Sequence, residues 1–263
     1  MANRISLMSY LQNPLPAIPI NPHADPGHNT RNRLYRASDI RTISRWHGFN
    51  LAAIRQAYDN VLFQANMPSD PVPSSPPRMI TSENPLKAAI QEYVVPRIRR
   101  ALQIAFGHLA TNNQMAMLTP ISFGVGESAS IIDAFKPDTA YFAVDLPAGT
   151  GPNRAPGDIK PSWKWSTALA TQHRPALHTE FKQALSQVNW YMKQHKARYG
   201  FLLTDRELVA IRRLDDHGNL ELAEPIPFTR GGTTAQPQLT VLLALFYIGM
   251  LAAQDTGAGR WNM

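Results

Sequence analysis

The sequence predicts an α/β fold, a central mixed sheet covered by helices. Three observations carry this expectation. A long stretch of helical apolar spacing follows Asn84-Pro85, three short strand-like stretches come next, and a second helical stripe leads into two strand-like runs turned at Asp205-Arg206. With 263 residues, 44% hydrophobic and 17% charged, the chain is long enough for one sizeable core with a smaller appended region.

In chain order, residues 1–80 are expected to form a proline-rich N-terminal accessory region with short helices, and 81–263 the main domain. Five of the twelve residues from Met67 to Arg78 are proline, which marks a linker or wrapping arm. Between the proline-rich stretches, Ser38 and Asp39 offer caps for a short helix. Leu51, Ile54, Tyr58, Val61 and Leu62 give Asn50 to Ala65 a helical period. Asn84-Pro85 then starts a stronger helix. Its apolar face holds Leu86, Ile90, Tyr93, Val94, Ile98, Ala101, Leu102 and Ala105; Pro96 marks a kink, and the end falls near Leu109. Ile121 to Val125, Thr139 to Val144 and Asp158 to Trp165 read as strands. Thr179 to Arg198 returns to a helix striped by Phe181, Leu185, Val188 and Met192. Tyr199 to Thr204 and Glu207 to Leu214 make a hairpin, Leu220 to Ala223 adds a short strand, and Pro237 to Gln254 supplies a closing apolar helix.

Composition narrows the chemistry. Lys and Arg outnumber Asp and Glu by 26 to 19, a formal charge of +7 that favours polyanionic partners such as DNA or RNA. With no cysteine there are no disulfides, thiolate zinc sites or cysteine nucleophiles. His23 with His28, and His173 with His178, approach ligand spacing without a third ligand, which argues against zinc. Gly124-Val-Gly126 lacks the third glycine of a dinucleotide fingerprint, and no Walker lysine or nucleophile-elbow serine is found. The N-terminus lacks the features of a secretory signal, and the apolar run from Leu239 to Ala253 is short for a membrane span. The expectation is an intracellular protein of nucleus or cytoplasm, neither secreted nor membrane-bound.

One set of residues carries a reaction. Asp158 and Lys160 are two apart, so in an extended strand their side chains share a face; Asp138, twenty positions before Asp158, stands at the edge of an earlier strand and closes the set. Two carboxylates hold a hard cation such as magnesium through oxygen. A neighbouring lysine orients or activates a water and offsets charge on a phosphate. An Asp-x-Lys pair alone is usually a surface ion pair, so the weight lies in the set. On the strand over Asp158 to Trp165, Trp163 and Trp165 share the parity of Ile159 and are expected to pack under a helix, leaving Lys164 on the active face as a phosphate contact. Arg97, Arg99 and Arg100, then Lys193, Lys196 and Arg198, then Arg212 with Arg213 form basic clusters. Each is by itself an ordinary solvated face; together they could supply a backbone grip.

Pro137-Asp138, Asp158-Ile159-Lys160, the following Gln187-Val-Asn-Trp-Tyr191 and the order of elements resemble the PD-(D/E)XK nuclease superfamily. The stretch from Gln187 through Tyr199-Gly200-Phe201 to Arg212-Arg213 is also similar to uncharacterised fungal members that carry the domain behind a proline-rich region. The resemblance covers roughly residues 84–254. It implies a restriction-endonuclease-like fold and a nuclease that hydrolyses nucleic acid phosphodiester bonds with Mg2+, or Mn2+. Asp138 and Asp158 would be the paired acids, Lys160 the catalytic lysine, and Asp138, Asp158 and the Ile159 carbonyl the metal ligands. Gln187 and Tyr191, one helical turn apart, would position substrate. The helix acid of this branch has its only in-helix candidate in Glu92, which at 100° per residue lies nearly opposite the apolar face, in line with Arg99. Glu127, before the Pro-Asp strand, is another. The rival reading is a catalytically inactive nuclease-like domain acting in nucleic-acid or protein binding. A purely structural module is a third.

Overall fold

The structure, a computed structural model, describes residues 4–22, 28–73 and 75–263. Its elements in order are β1 (Arg4–Ser6), α1 (Leu7–Leu11), β2 (Thr42–Arg45), α2 (Leu51–Gln64), β3 (Asn66–Pro68), α3 (Glu83–Tyr93) and α4 (Val95–Thr111). There follow β4 (Ile121–Val125), β5 (Thr139–Ala143), β6 (Gly157–Ile159), α5 (Pro175–Gln194), β7 (Tyr199–Leu203), β8 (Glu207–Arg213), β9 (Asn219–Leu222), β10 (Ile226–Pro227) and α6 (Val241–Ala252). Eight strands form one mixed sheet in the order β2-β9-β8-β7-β6-β5-β4, with β10 beside β8. The pairs β2/β9 and β6/β7 are parallel and the rest antiparallel. β1 and β3 form a separate ribbon.

Strand alternation divides the interior in two. From β7 and β8, Phe201, Leu203, Leu208 and Ala210 join a core with α1, α2, α3, α4 and α6. Leu202, Val209 and Ile211 face the other way, onto Phe181, Leu185, Val188 and Met192 of α5. The expected α5 stripe is therefore the one that is buried. α6 is apolar all round and buried throughout, as a central helix must be. No helix among the described residues is long and apolar enough to cross a membrane.

The expected long helix is two. Val94 between them stays in the right-handed helical region at φ −111° and ψ −54°, its N–H donating to the Ile90 carbonyl at 3.0 Å and its carbonyl accepting the Ile98 N–H at 3.1 Å, and Pro96 sits in the first turn of α4. Pro96 has no N–H to offer the ladder, so the helical path bends at this joint as a kink. Ser38 and Asp39 cap no α-helix: Ala37–Asp39 is a short 3-10 turn in which Asp39 accepts the Arg36 N–H at 2.8 Å. The strand expected over Asp158 to Trp165 stops at Ile159. Pro161 has no N–H for the ladder, and its carbonyl accepts from the N–H groups of Lys164 and Trp165, turning the chain.

Residues before 80 are built into the same sheet and core. β2 pairs with β9, while Leu7, Met8, Tyr10, Leu11, Ile54 and Leu62 pack in the larger core. The proline-rich stretch lies along α3 and α4, held by Tyr93 to the Ser75 carbonyl, Arg97 to the Asp70 carbonyl and Arg100 to the Asp70 carboxylate.

Candidate active site

β5, β6 and the start of α3 bring the acids together. Asp138 directly precedes β5; its N–H donates to the Gly157 carbonyl at 3.1 Å, and its Oδ2 accepts the Ile159 N–H at 2.8 Å. That carboxylate is thus pinned to the strand that carries the Asp-x-Lys pair. Asp158 pairs in register with Leu202, and the Lys160 N–H continues the ladder to the Leu203 carbonyl. Ile159 points into the larger core, so Asp158 and Lys160 face the other way, toward α5. The face expected from their spacing is the one they share.

Asp158 Oδ2 stands 2.6 Å from Lys160 Nζ, and the two residues are only 2% and 1% exposed. At that distance the ammonium and the carboxylate form a short charge-assisted contact inside the protein. Burial pushes the Asp158 carboxyl up to about 7; Lys160 pulls it down, while Asp138 and Glu83 add to the rise. Burial opposes the Lys160 charge, but Asp158, Glu83 and Asp138 outweigh it and raise its pKa. The Asp158 shift is first an effect of burial, and the Lys160 shift one of the acids around it. The ammonium is retained and one acid resists ionisation.

Glu83, the first residue of α3, is the acid that the sequence reading missed. It lies 4.0 Å from Lys160, 3.7 Å from Lys164 and 2.8 Å from Lys87, which in turn stands 2.6 Å from Asp138 Oδ1. Burial raises the Glu83 carboxyl, and Lys160, Lys87 and Lys164 together bring it below the usual range. Asn84-Pro85 drew the helix start one residue too late; the signal was Glu83 with Lys87 at i,i+4. Glu92 lines a surface hollow with Arg78, Met79 and Tyr93 instead. It makes no ion pair with Arg99, whose guanidinium donates to the Phe123 carbonyl at 3.3 Å. Glu127 pairs with Lys136 at an exposed site.

On the α5 side, Gln187 Nε2 donates to the Tyr191 hydroxyl at 2.9 Å, and both residues are buried. Burial, and after it the nearby Asp158 charge, hold the Tyr191 phenol well above its ordinary pKa. Tyr35, from far earlier in the chain, is also within electrostatic reach of Asp158 and Lys160. Its segment is tied across α5: Asn29 N–H meets Glu180, and Gln183 bonds the Ala37 N–H and the Thr30 carbonyl.

The shared parity of the two tryptophans does not survive the turn at Pro161. Trp165 stacks on Phe181 at 5.7 Å in the α5 core, whereas Trp163 packs against the larger core across the sheet. Lys164 nevertheless reaches the acids through Glu83. Of the histidines considered for zinc, His23 lies outside the described residues, and His28 stands 3.3 Å from Glu180.

For a hard cation the donors are of the right kind, carboxylate oxygens of Asp138, Asp158 and Glu83. Among the described residues no three acidic or histidine side chains gather closely enough to ligate one ion. Asp138, Glu83 and Asp158 each hold an ammonium instead. Compared with known proteins, the chain matches no family model, no curated protein and no solved structure.

Proposed function

We propose that this protein is a metal-dependent nuclease of the PD-(D/E)XK type, its sheet and helices a restriction-endonuclease-like arrangement. One observation supports this above all others: Asp158 and Lys160 share a face and touch at 2.6 Å, while Asp138 is tied by hydrogen bond to the residue between them. Asp138, Asp158 and the Ile159 carbonyl would hold Mg2+ or Mn2+, with Glu83 taking the place given to Glu92. When bound, the cation supplies Lewis-acid stabilisation of the phosphoryl oxygens. Lys160 orients the attacking water and offsets charge developing on the phosphate. Lys164, at the more open end of the cluster, contacts a flanking phosphate, and Tyr191, braced by Gln187, positions the backbone. DNA or RNA suits a chain of formal charge +7.

The test is incubation of purified protein with labelled single- and double-stranded DNA and RNA in Mg2+, Mn2+ or chelator, beside Asp158→Ala and Lys160→Ala. Metal-dependent cutting that both variants lose is the expected result. Cutting that persists in both variants overturns the assignment. A second reading, an inactive nuclease-like domain that binds nucleic acid or protein, is favoured by the near-complete burial of Asp158 and Lys160. Retention of labelled strands without cutting under every metal would establish binding in place of hydrolysis.

A further inference from the structure

Lys87 belongs to no part of the set anticipated from sequence, yet it makes the tightest contacts to two of the acids. Its Nζ stands 2.6 Å from Asp138 Oδ1 and 2.8 Å from Glu83 Oε1. α3 delivers it there, because residues four apart stack on one side of a helix. Two carboxylate oxygens around one positive centre is the arrangement a hard cation also seeks. We propose that the Lys87 ammonium occupies the cation position between Glu83 and Asp138, so that a divalent metal enters there only by displacing it.

The neighbouring contacts give this claim a specific consequence. Without Lys87, Glu83 keeps Lys160 at 4.0 Å and Lys164 at 3.7 Å, and Asp138 keeps the Ile159 N–H at 2.8 Å. Both carboxylates therefore stay in place, and their mutual repulsion, no longer screened by an ammonium, favours a metal ion. Lys87 also has somewhere to go, its side chain being 32% exposed whereas that of Lys160 is 2% exposed. A merely structural salt bridge behaves differently: its loss weakens the fold and leaves metal affinity unchanged.

The inference deepens the metal-dependent reading and is tested without nucleic acid, by titrating MnCl2 into the full chain in a calorimeter and counting free Mn2+ by electron paramagnetic resonance. Lys87→Met should bind Mn2+ more tightly than wild type by about tenfold or more, equivalent to about 1.4 kcal/mol. Glu83→Gln in the Lys87→Met background should reverse the gain. Lys87→Gln carries the same expectation should the methionine variant fail to fold. Equal or weaker Mn2+ binding in the Lys87 variants, a gain indifferent to Glu83→Gln, or no binding in any variant overturns the proposal. Tighter binding in Lys87→Met with no cutting of any strand upholds this inference and removes the nuclease reading. Cutting by wild type with unchanged Mn2+ affinity in Lys87→Met does the reverse.

Discussion

Asp158 Oδ2 lies 2.6 Å from Lys160 Nζ inside the protein, a charge pair almost sealed from solvent. Such a pair is costly to assemble and costlier to break, because a lone buried charge has neither water nor partner. Asp158→Ala should destabilise the fold by about 3 to 5 kcal/mol, leaving Lys160 with Glu83 at 4.0 Å and the charge of Asp138. Lys160→Met in the same chain should recover part of that loss, giving a coupling of about 1 to 3 kcal/mol in urea unfolding. Strict additivity of the two substitutions would mean that the pair has no mutual energy.

Gly126 holds Asp138 from behind. A Cβ at this position would fall 1.8 Å from the Pro137 carbonyl oxygen, and the Gly126 N–H donates to the Asp138 carbonyl at 3.1 Å. Gly126→Ala must push the Pro137-Asp138 backbone away. A cost of about 1 to 3 kcal/mol follows, with weaker Mn2+ affinity although the residue touches no acid side chain. Unchanged melting temperature and metal affinity would show that the loop gives way freely. The sequence reading considered this glycine only against a dinucleotide fingerprint. Its role is close backbone approach, which spacing does not encode.

Regular elements with strong periodicity were legible, because period and register depend on local sequence. α2, α5, the hairpin of β7 and β8, and the shared face of Asp158 and Lys160 are in this class. A feature set by one residue's backbone chemistry was misjudged: Pro161 ends a strand before Trp163 and Trp165. Contacts between distant segments were invisible. Glu83 and Lys87 reach Asp138 and Lys160 only through the docking of α3 beside β6, and Tyr35 reaches Asp158 only through the segment laid on α5. Nothing in one chain's spacing encodes those meetings.

The basic clusters show the same limit. Arg97 is buried against the Asp70 carbonyl, Arg212 pairs with Glu221 beneath Trp46, and Arg213 bonds the Ala197 carbonyl and Asp216 from a site 2% exposed. These arginines hold segments of the fold together. Arg213→Ala should cost about 2 to 4 kcal/mol through a lost buried side chain and two lost bonds. The salt dependence of any nucleic-acid binding should stay the same, since no phosphate contact is removed. A shallower slope of log affinity against log salt in the folded variant would place Arg213 on the binding face instead.

His195 makes the stability of the β5 region depend on acid. Its Nδ1 accepts the Asn153 N–H at 3.2 Å, and Asn153 in turn bonds the Thr139 carbonyl and the Tyr141 N–H along β5. Burial lowers its pKa from 6.5 to about 4, so the folded ring stays neutral and able to accept. Between those values the unfolded chain binds a proton that the folded chain refuses. The stabilising contribution is therefore complete above pH 6.5 and is lost as pH falls toward 4, at up to about 1.4 kcal/mol per pH unit. His195→Gln keeps an acceptor oxygen but cannot titrate. Urea unfolding at pH 4, 5, 6 and 7 should give a wild-type profile that drops on acidification more steeply than the variant's. Parallel profiles would mean that the histidine ring takes up its proton in the folded protein as readily as in the unfolded chain.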